Sequence, residues 1–144
     1  MAKKKSAKKR NLGVYSSGLE KHCAEILRAN NIKFEYENKY VLIEGFDYPS
    51  TYFKSVPKQK SMVDKTNRRS LPITYKPDFV LPHHNIVIET KGFVRANDSF
   101  PLRWKLFMRY LLESGQGHYR LFIPRNQAQI NEIINFIKDD TTKT

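Results

Sequence analysis

The stretch from Ile73 to Gly92, ITYKPDFVLPHHNIVIETKG, constrains this chain more than any other. Two short runs rich in β-branched and aromatic residues flank a Pro-His-His-Asn break. This is the pattern of an antiparallel hairpin with a four- or five-residue loop. Successive side chains of a strand point to opposite faces. Glu89 and Lys91 therefore share a face with Val87, while Ile86 and Ile88 take the other. Pairing across the loop sets Asp78 beside Glu89 on that same face. A strand tolerates proline only at a start, an edge or a bulge, so Pro77 predicts a break in pairing next to Asp78. Two carboxylates and an ammonium at the end of a sheet, with Gly92 just after, fit a metal-dependent hydrolytic site. The competing reading is a solvated strand end with a surface ion pair. His83 and His84 fall in the break and read as turn residues, not ligands.

Charge narrows the partner. With 26 Lys and Arg against 14 Asp and Glu, the formal net charge is +12, which points to a polyanion. Membrane fits less well than nucleic acid. No apolar run approaches the ~18 residues that would span a bilayer, and no signal-peptide apolar region follows the basic start. Cys23 is the lone cysteine, so no disulfide staples the monomer, and a reducing compartment, the cytoplasm, is expected. So few Cys and His ligands argue against structural zinc. Nothing suggests an organic cofactor.

At 144 residues the chain is expected to be one domain with a real core. Residues 1–15 are predicted to be a basic disordered arm. Lys3, Lys4, Lys5, Lys8, Lys9 and Arg10 would track phosphates or serve only as a solubilising tail. The folded domain is assigned to 16–138, and 139–144 to a polar tail. Ser17-Gly18-Leu19-Glu20 is a capping box that opens a helix from Gly18 to about Ala29, stopped by Asn30-Asn31. Glu20 is then either the residue that reaches back to the cap or a third carboxylate near the Asp78–Glu89 pair. Ile32 to Glu37 alternates as a strand, with Phe34 and Tyr36 opposite Glu35 and Glu37. Tyr40 to Ile43 reads as a second apolar strand, either the hairpin partner of the first or its continuation. From 44 to 72 all periodicity is lost in a basic, aromatic-rich insertion. Such a segment suits nucleic-acid backbone and unstacked bases, or else makes no contacts at all.

Pro101 marks the start of a helix that runs to Glu113. Its apolar residues occupy much of the circumference, so it is expected to be covered on more than one side, with Trp104 in the core. Tyr119 to Ile123 is a strand, and with Ile86–Ile88 it makes a right-handed βαβ unit of parallel strands. Asn126 caps a last helix through Ile130, Ile133, Ile134 and Ile137. The predicted class is α/β, a mixed sheet flanked by helices in the order αββββαβα.

Four separated motifs then occur together and in order: Ser17-Gly18-Leu19-Glu20, Lys33-Phe34-Glu35-Tyr36-Glu37, Tyr75-Lys76-Pro77-Asp78-Phe79-Val80-Leu81-Pro82 and Ile88-Glu89-Thr90-Lys91-Gly92. Over roughly 16–92 the chain resembles the phage endonuclease I family of Holliday-junction resolving enzymes, which have a restriction-endonuclease-like core. The resemblance implies that Asp78 and Glu89 bind divalent metal, that Lys91 assists the attacking water, and that Glu20 completes a second metal position. Glu35 looks like a further acidic residue near the site. It implies an intertwined homodimer, and a bacterial host's cytoplasm if the chain is phage-encoded. The segment between Glu35 and Asp78 is longer here than in the family.

Phosphodiester hydrolysis is served by two cations roughly 4 Å apart, and hard oxygen ligands suit Mg²⁺ or Mn²⁺. In this scheme Asp78 bridges the two, and Glu89 and the Thr90 carbonyl hold one of them. Lys91 orients or deprotonates water, or neutralises phosphate. Lys58, Lys60, Arg68, Arg69, Lys76, Arg95, Arg103, Lys105 and Arg109 are the candidate DNA contacts beside the N-terminal arm; each is equally a solvated surface cation. Two rivals stand: a same-fold nuclease with sequence, mismatch or transposon-end targeting, and a non-catalytic basic nucleic-acid-binding protein.

Overall fold

Helix α1 (Gly18–Ala29) begins where the capping box predicts. The Ser17 hydroxyl accepts from the Glu20 amide at 3.1 Å, and Cys23, Ala24 and Leu27 bury one stripe. This is a computed structural model, which describes residues 12–92 and 98–141. Asn31, at φ 54°, turns the chain out of the helix, and the short strand β1 (Glu35–Tyr36) follows. The expected six-residue strand pairs over only two residues, and Glu37, at φ 53°, ends it.

The main sheet has the order β1, β8 (Phe79–Leu81), β9 (Ile86–Ile88), β10 (Arg120–Phe122). Strands β8 (Phe79–Leu81) and β9 (Ile86–Ile88) form the predicted hairpin around a four-residue turn, with Phe79 opposite Ile88 and Leu81 opposite Ile86. Asn85 takes the left-handed conformation that closes it. Helix α2 (Phe100–Glu113) carries the chain across to β10 (Arg120–Phe122), which pairs parallel to β9. Helix α3 (Gln127–Thr141) ends the described chain, capped by Asn126, whose side chain accepts from the Gln129 amide at 2.9 Å.

Both faces of the central hairpin are buried, which explains its near-continuous apolar runs. Phe79, Leu81, Ile86 and Ile88 pack with Cys23 and Leu27 of α1 and Ile130, Ile133, Ile134 and Ile137 of α3. Val80 and Val87 face the other way, against Phe100, Phe107 and Leu111 of α2 and against Tyr75. Each fully buried side chain of this size stabilises the fold by about 1.5–3 kcal/mol. The architecture is thus mixed α/β, with three helices among the described residues and a mixed four-stranded sheet.

Several expectations need correction. Helix α2 buries only one stripe: Leu102, Met108 and Leu112 are exposed, so nothing described covers a second side. Trp104 is half-buried against Phe100 and Phe107. Order begins before residue 16, since the Tyr15 ring packs on Tyr36 and Phe79. Residues 139–141 are not a tail but the last turn of α3, where Asp140 pairs with Arg120 at 2.9 Å.

The largest departure is the insertion. It is a ribbon of nested antiparallel pairs, β2 (Tyr40–Ile43) with β7 (Ile73–Tyr75), β3 (Phe46–Asp47) with β6 (Arg69–Ser70), and β4 (Phe53–Lys54) with β5 (Val63–Asp64). Only its base is anchored in the core, through Tyr40 and Tyr75 against Phe107. Tyr40–Ile43 therefore pairs with Ile73–Tyr75, and the first half of the Ile73–Gly92 stretch divides at Lys76-Pro77 between the ribbon and the main sheet.

Candidate functional site

The β8–β9 register, continued one step past Phe79 and Ile88, sets Asp78 opposite Glu89. The Asp78 amide donates to Glu89 Oε2 at 3.0 Å in place of a ladder carbonyl, the pairing break that Pro77 predicts. Thr90 grips Asp78 in return: its amide and its hydroxyl donate to Asp78 Oδ2 at 2.8 and 2.7 Å. The β10 edge then aligns the rest, since the Glu89 and Lys91 amides donate to the Phe122 and Pro124 carbonyls. Lys91 Nζ lies 3.3 Å from Glu89 Oε1 and 4.4 Å from the centre of the Phe100 ring. Asp78, Glu89 and Lys91 thus meet at the end of the sheet, and both carboxylates are at least nine-tenths buried.

A second group converges on Asp78 from its other side. Carboxylate oxygens of Glu20, Glu37 and Asp78 all lie within 4.8 Å of one another. Glu20 fulfils both of its readings at once. Its Oε2 reaches back past the cap Ser17 to accept from the Ser16 amide at 3.0 Å, and also accepts from the Tyr36 hydroxyl at 2.7 Å. Glu37 reaches the cluster because its left-handed backbone takes it out of strand alternation while its amide holds the Asp78 carbonyl at 3.1 Å. Glu35 does not join it. That residue is exposed, bonded to Asn38 Nδ2 at 2.5 Å, and its charge acts on Tyr40 instead.

Burial and mutual repulsion set the electrostatics. Burial first, then the charge of Glu89, push the Asp78 carboxyl up to about 7. Burial also raises Glu89 above the usual carboxylate range, with Tyr75, the Asp78 amide and Lys91 pulling back. Such a site favours a cation that neutralises it. Carboxylate oxygens are hard ligands, so the donor set fits Mg²⁺ or Mn²⁺ and not a thiolate-preferring metal. The Cys23 thiol beneath is buried and pushed up to about 12, first by burial and then by Asp78 and Glu20, so it is unsuited as a ligand.

Three residues at the site were not expected there from the sequence: Glu37, Tyr36 and Tyr75. Tyr75 is buried with its hydroxyl in no hydrogen bond of good geometry. Burial, then the charge of Glu89, raise its pKa. Its only signal was its place three residues before Asp78. Thr90, expected to offer its carbonyl, uses its amide and hydroxyl to orient Asp78.

The candidate DNA contacts fall into three groups. Arg69 is spent inside the ribbon, on the Gly45 carbonyl at 2.7 Å and Asp47 at 3.4 Å. Arg103 donates to the Thr74 carbonyl, and Arg109 pairs with Glu113. Lys58, Lys60, Arg68, Lys76 and Lys105 are exposed cations. Lys3, Lys4, Lys5, Lys8, Lys9, Arg10 and Arg95 lie outside the described residues. His83 and His84 sit in the β8–β9 turn, away from the carboxylates.

Comparison with family models, with curated proteins and with solved structures finds no match. No helix among the described residues is long and apolar enough to cross a membrane.

Proposed function

We propose that the Asp78 cluster is the catalytic centre of a metal-dependent endodeoxyribonuclease that cleaves branched DNA, resolving four-way junctions by paired phosphodiester hydrolysis. The observation that carries this reading is the position of Asp78, shared between the Glu20–Glu37 carboxylates on one side and Glu89 and Lys91 on the other. A carboxylate so shared suits two divalent cations. Bound there, Mg²⁺ or Mn²⁺ supplies Lewis-acid activation of water and neutralises charge on the phosphate.

The chain's own groups do the rest. Thr90 locks one oxygen of Asp78, which leaves the carboxylate little rotational freedom. Glu89, fixed by the Asp78 amide and the β10 edge, holds its second oxygen toward Lys91. The Lys91 ammonium, steadied over Phe100, faces a scissile phosphate entering at the sheet end and either contacts it or orients the water. The net charge of +12 draws in the polyanion. The restriction-endonuclease-like core and the homodimer belong to the same proposal, supported by the motif order and by the uncovered face of α2.

Incubating the protein with a labelled four-way junction, a linear duplex and a single strand, with and without Mg²⁺, tests the reading. Paired Mg²⁺-dependent cuts confined to the junction are expected. Site-specific cuts in the duplex would give the activity to a sequence-targeted nuclease instead. Binding without any cuts would make the carboxylates incidental.

A further inference from the structure

The ribbon leaves the body of the protein at the carboxylate cluster. It starts at Tyr40, three residues after Glu37, and returns at Tyr75, three residues before Asp78. The Glu37 amide closes the neck on the Asp78 carbonyl. Whatever grips the ribbon is therefore delivered to the site.

Its shape and surface narrow the occupant. The register drifts by only two residues between the Tyr40–Tyr75 pair and the Lys54–Val63 pair, so the three short pairs follow one another along the arm in nearly constant register, with unpaired stretches between them. At ~3.3 Å per residue a fully extended run from Tyr40 to Lys54 would reach at most roughly 45 Å, and the irregular residues between the strand pairs shorten it toward the length of one turn of B-form DNA, about 34 Å. A two-stranded ribbon fits the major groove. Lys54, Lys58, Lys60 and Arg68 are all exposed on its outer half; Arg68 lies near enough to Asp64 for its charge to lower that carboxyl, and Lys54, Lys58 and Lys60 form no ion pair within 4 Å among the described residues. Tyr48 and Tyr52, each about half exposed, offer hydroxyls that suit phosphate oxygens. Two such ribbons laid together would set like charges against each other, whereas a polyanion complements them.

We propose that the ribbon is a duplex-gripping arm, which lies along the DNA flanking the scissile phosphate and sets how much flanking duplex the protein engages. This deepens the nuclease reading and rests on it for the meaning of the cut, but the binding itself is measured without cleavage.

The test compares the full chain with a variant carrying Lys54→Gln, Lys58→Gln, Lys60→Gln and Arg68→Gln, in EDTA. Fluorescence anisotropy follows binding to four-way junctions with arms of about 8 and about 20 base pairs, less and more than one helical turn of roughly 10 base pairs. The variant is expected to bind the long-armed junction at least tenfold more weakly, with a salt slope shallower by about three units. On the short-armed junction the loss should be several-fold smaller. Equal losses on both, or none, would overturn the proposal. So would sedimentation that finds the wild type dimeric and the variant monomeric, since the ribbon would then belong to a second copy. Absence of cleavage by the wild type in Mg²⁺ would sink the nuclease reading and leave this comparison intact.

Discussion

Asp78 carries the cost of the site when no cation is bound. Its carboxyl is raised from the ordinary value of 3.8 to about 7, so the folded protein holds a proton that the unfolded chain releases. Stability from this group is complete below about pH 4 and is lost as pH rises toward about 7. Replacing it by Asn removes that loss. In EDTA, Asp78→Asn is expected to unfold at a higher temperature than wild type at pH 8, with the gain shrinking toward pH 4. A gain independent of pH would refute the assignment. Glu37 and Glu35 give a second contrast. Even outer-shell partners of a metal are worth about 10–100-fold in affinity, so Glu37→Gln should weaken Mn²⁺ binding about tenfold or more by calorimetry, and Glu35→Gln should leave it unchanged. Asp78, Glu89 and Lys91 were legible because strand alternation and a short turn fix their side. Glu37 was not. Its place depends on a left-handed φ that a non-glycine residue rarely adopts and that no neighbouring residue announces.

At the scale of elements, the hairpin, the βαβ crossover and the three helices could be read from periodicity, because each buries a defined stripe or face. The ribbon beyond its β2–β7 base could not. It covers no core beyond its base, so neither of its faces needs apolar alternation, and its pairs lie far apart in sequence. The reading of α2 failed for a related reason. Apolar residues on a helix mark burial only where something packs on them, and Leu102 and Leu112 are nearly two-thirds exposed. Phe107→Ala should therefore cost about 3–5 kcal/mol in denaturant unfolding, while Leu112→Gln should stay within about 0.5 kcal/mol. A large loss for Leu112→Gln would show that this face is covered in solution.

The whole molecule joins a cationic surface to a buried anionic centre. Exposed cations lie on the ribbon and on α2, among them Lys54, Lys58, Lys60, Arg68 and Lys105, whereas Glu20, Asp78 and Glu89 are buried at the end of the sheet. That division suits a protein that attracts a polyanion with one set of charges and acts on it with another set plus metal. Single-turnover cleavage of a labelled four-way junction, at saturating protein in Mg²⁺, tests this most directly. Asp78→Ala is expected to cut at least about a thousandfold more slowly than wild type while binding the junction in EDTA with similar affinity. Cleavage at the wild-type rate by Asp78→Ala would contradict the account.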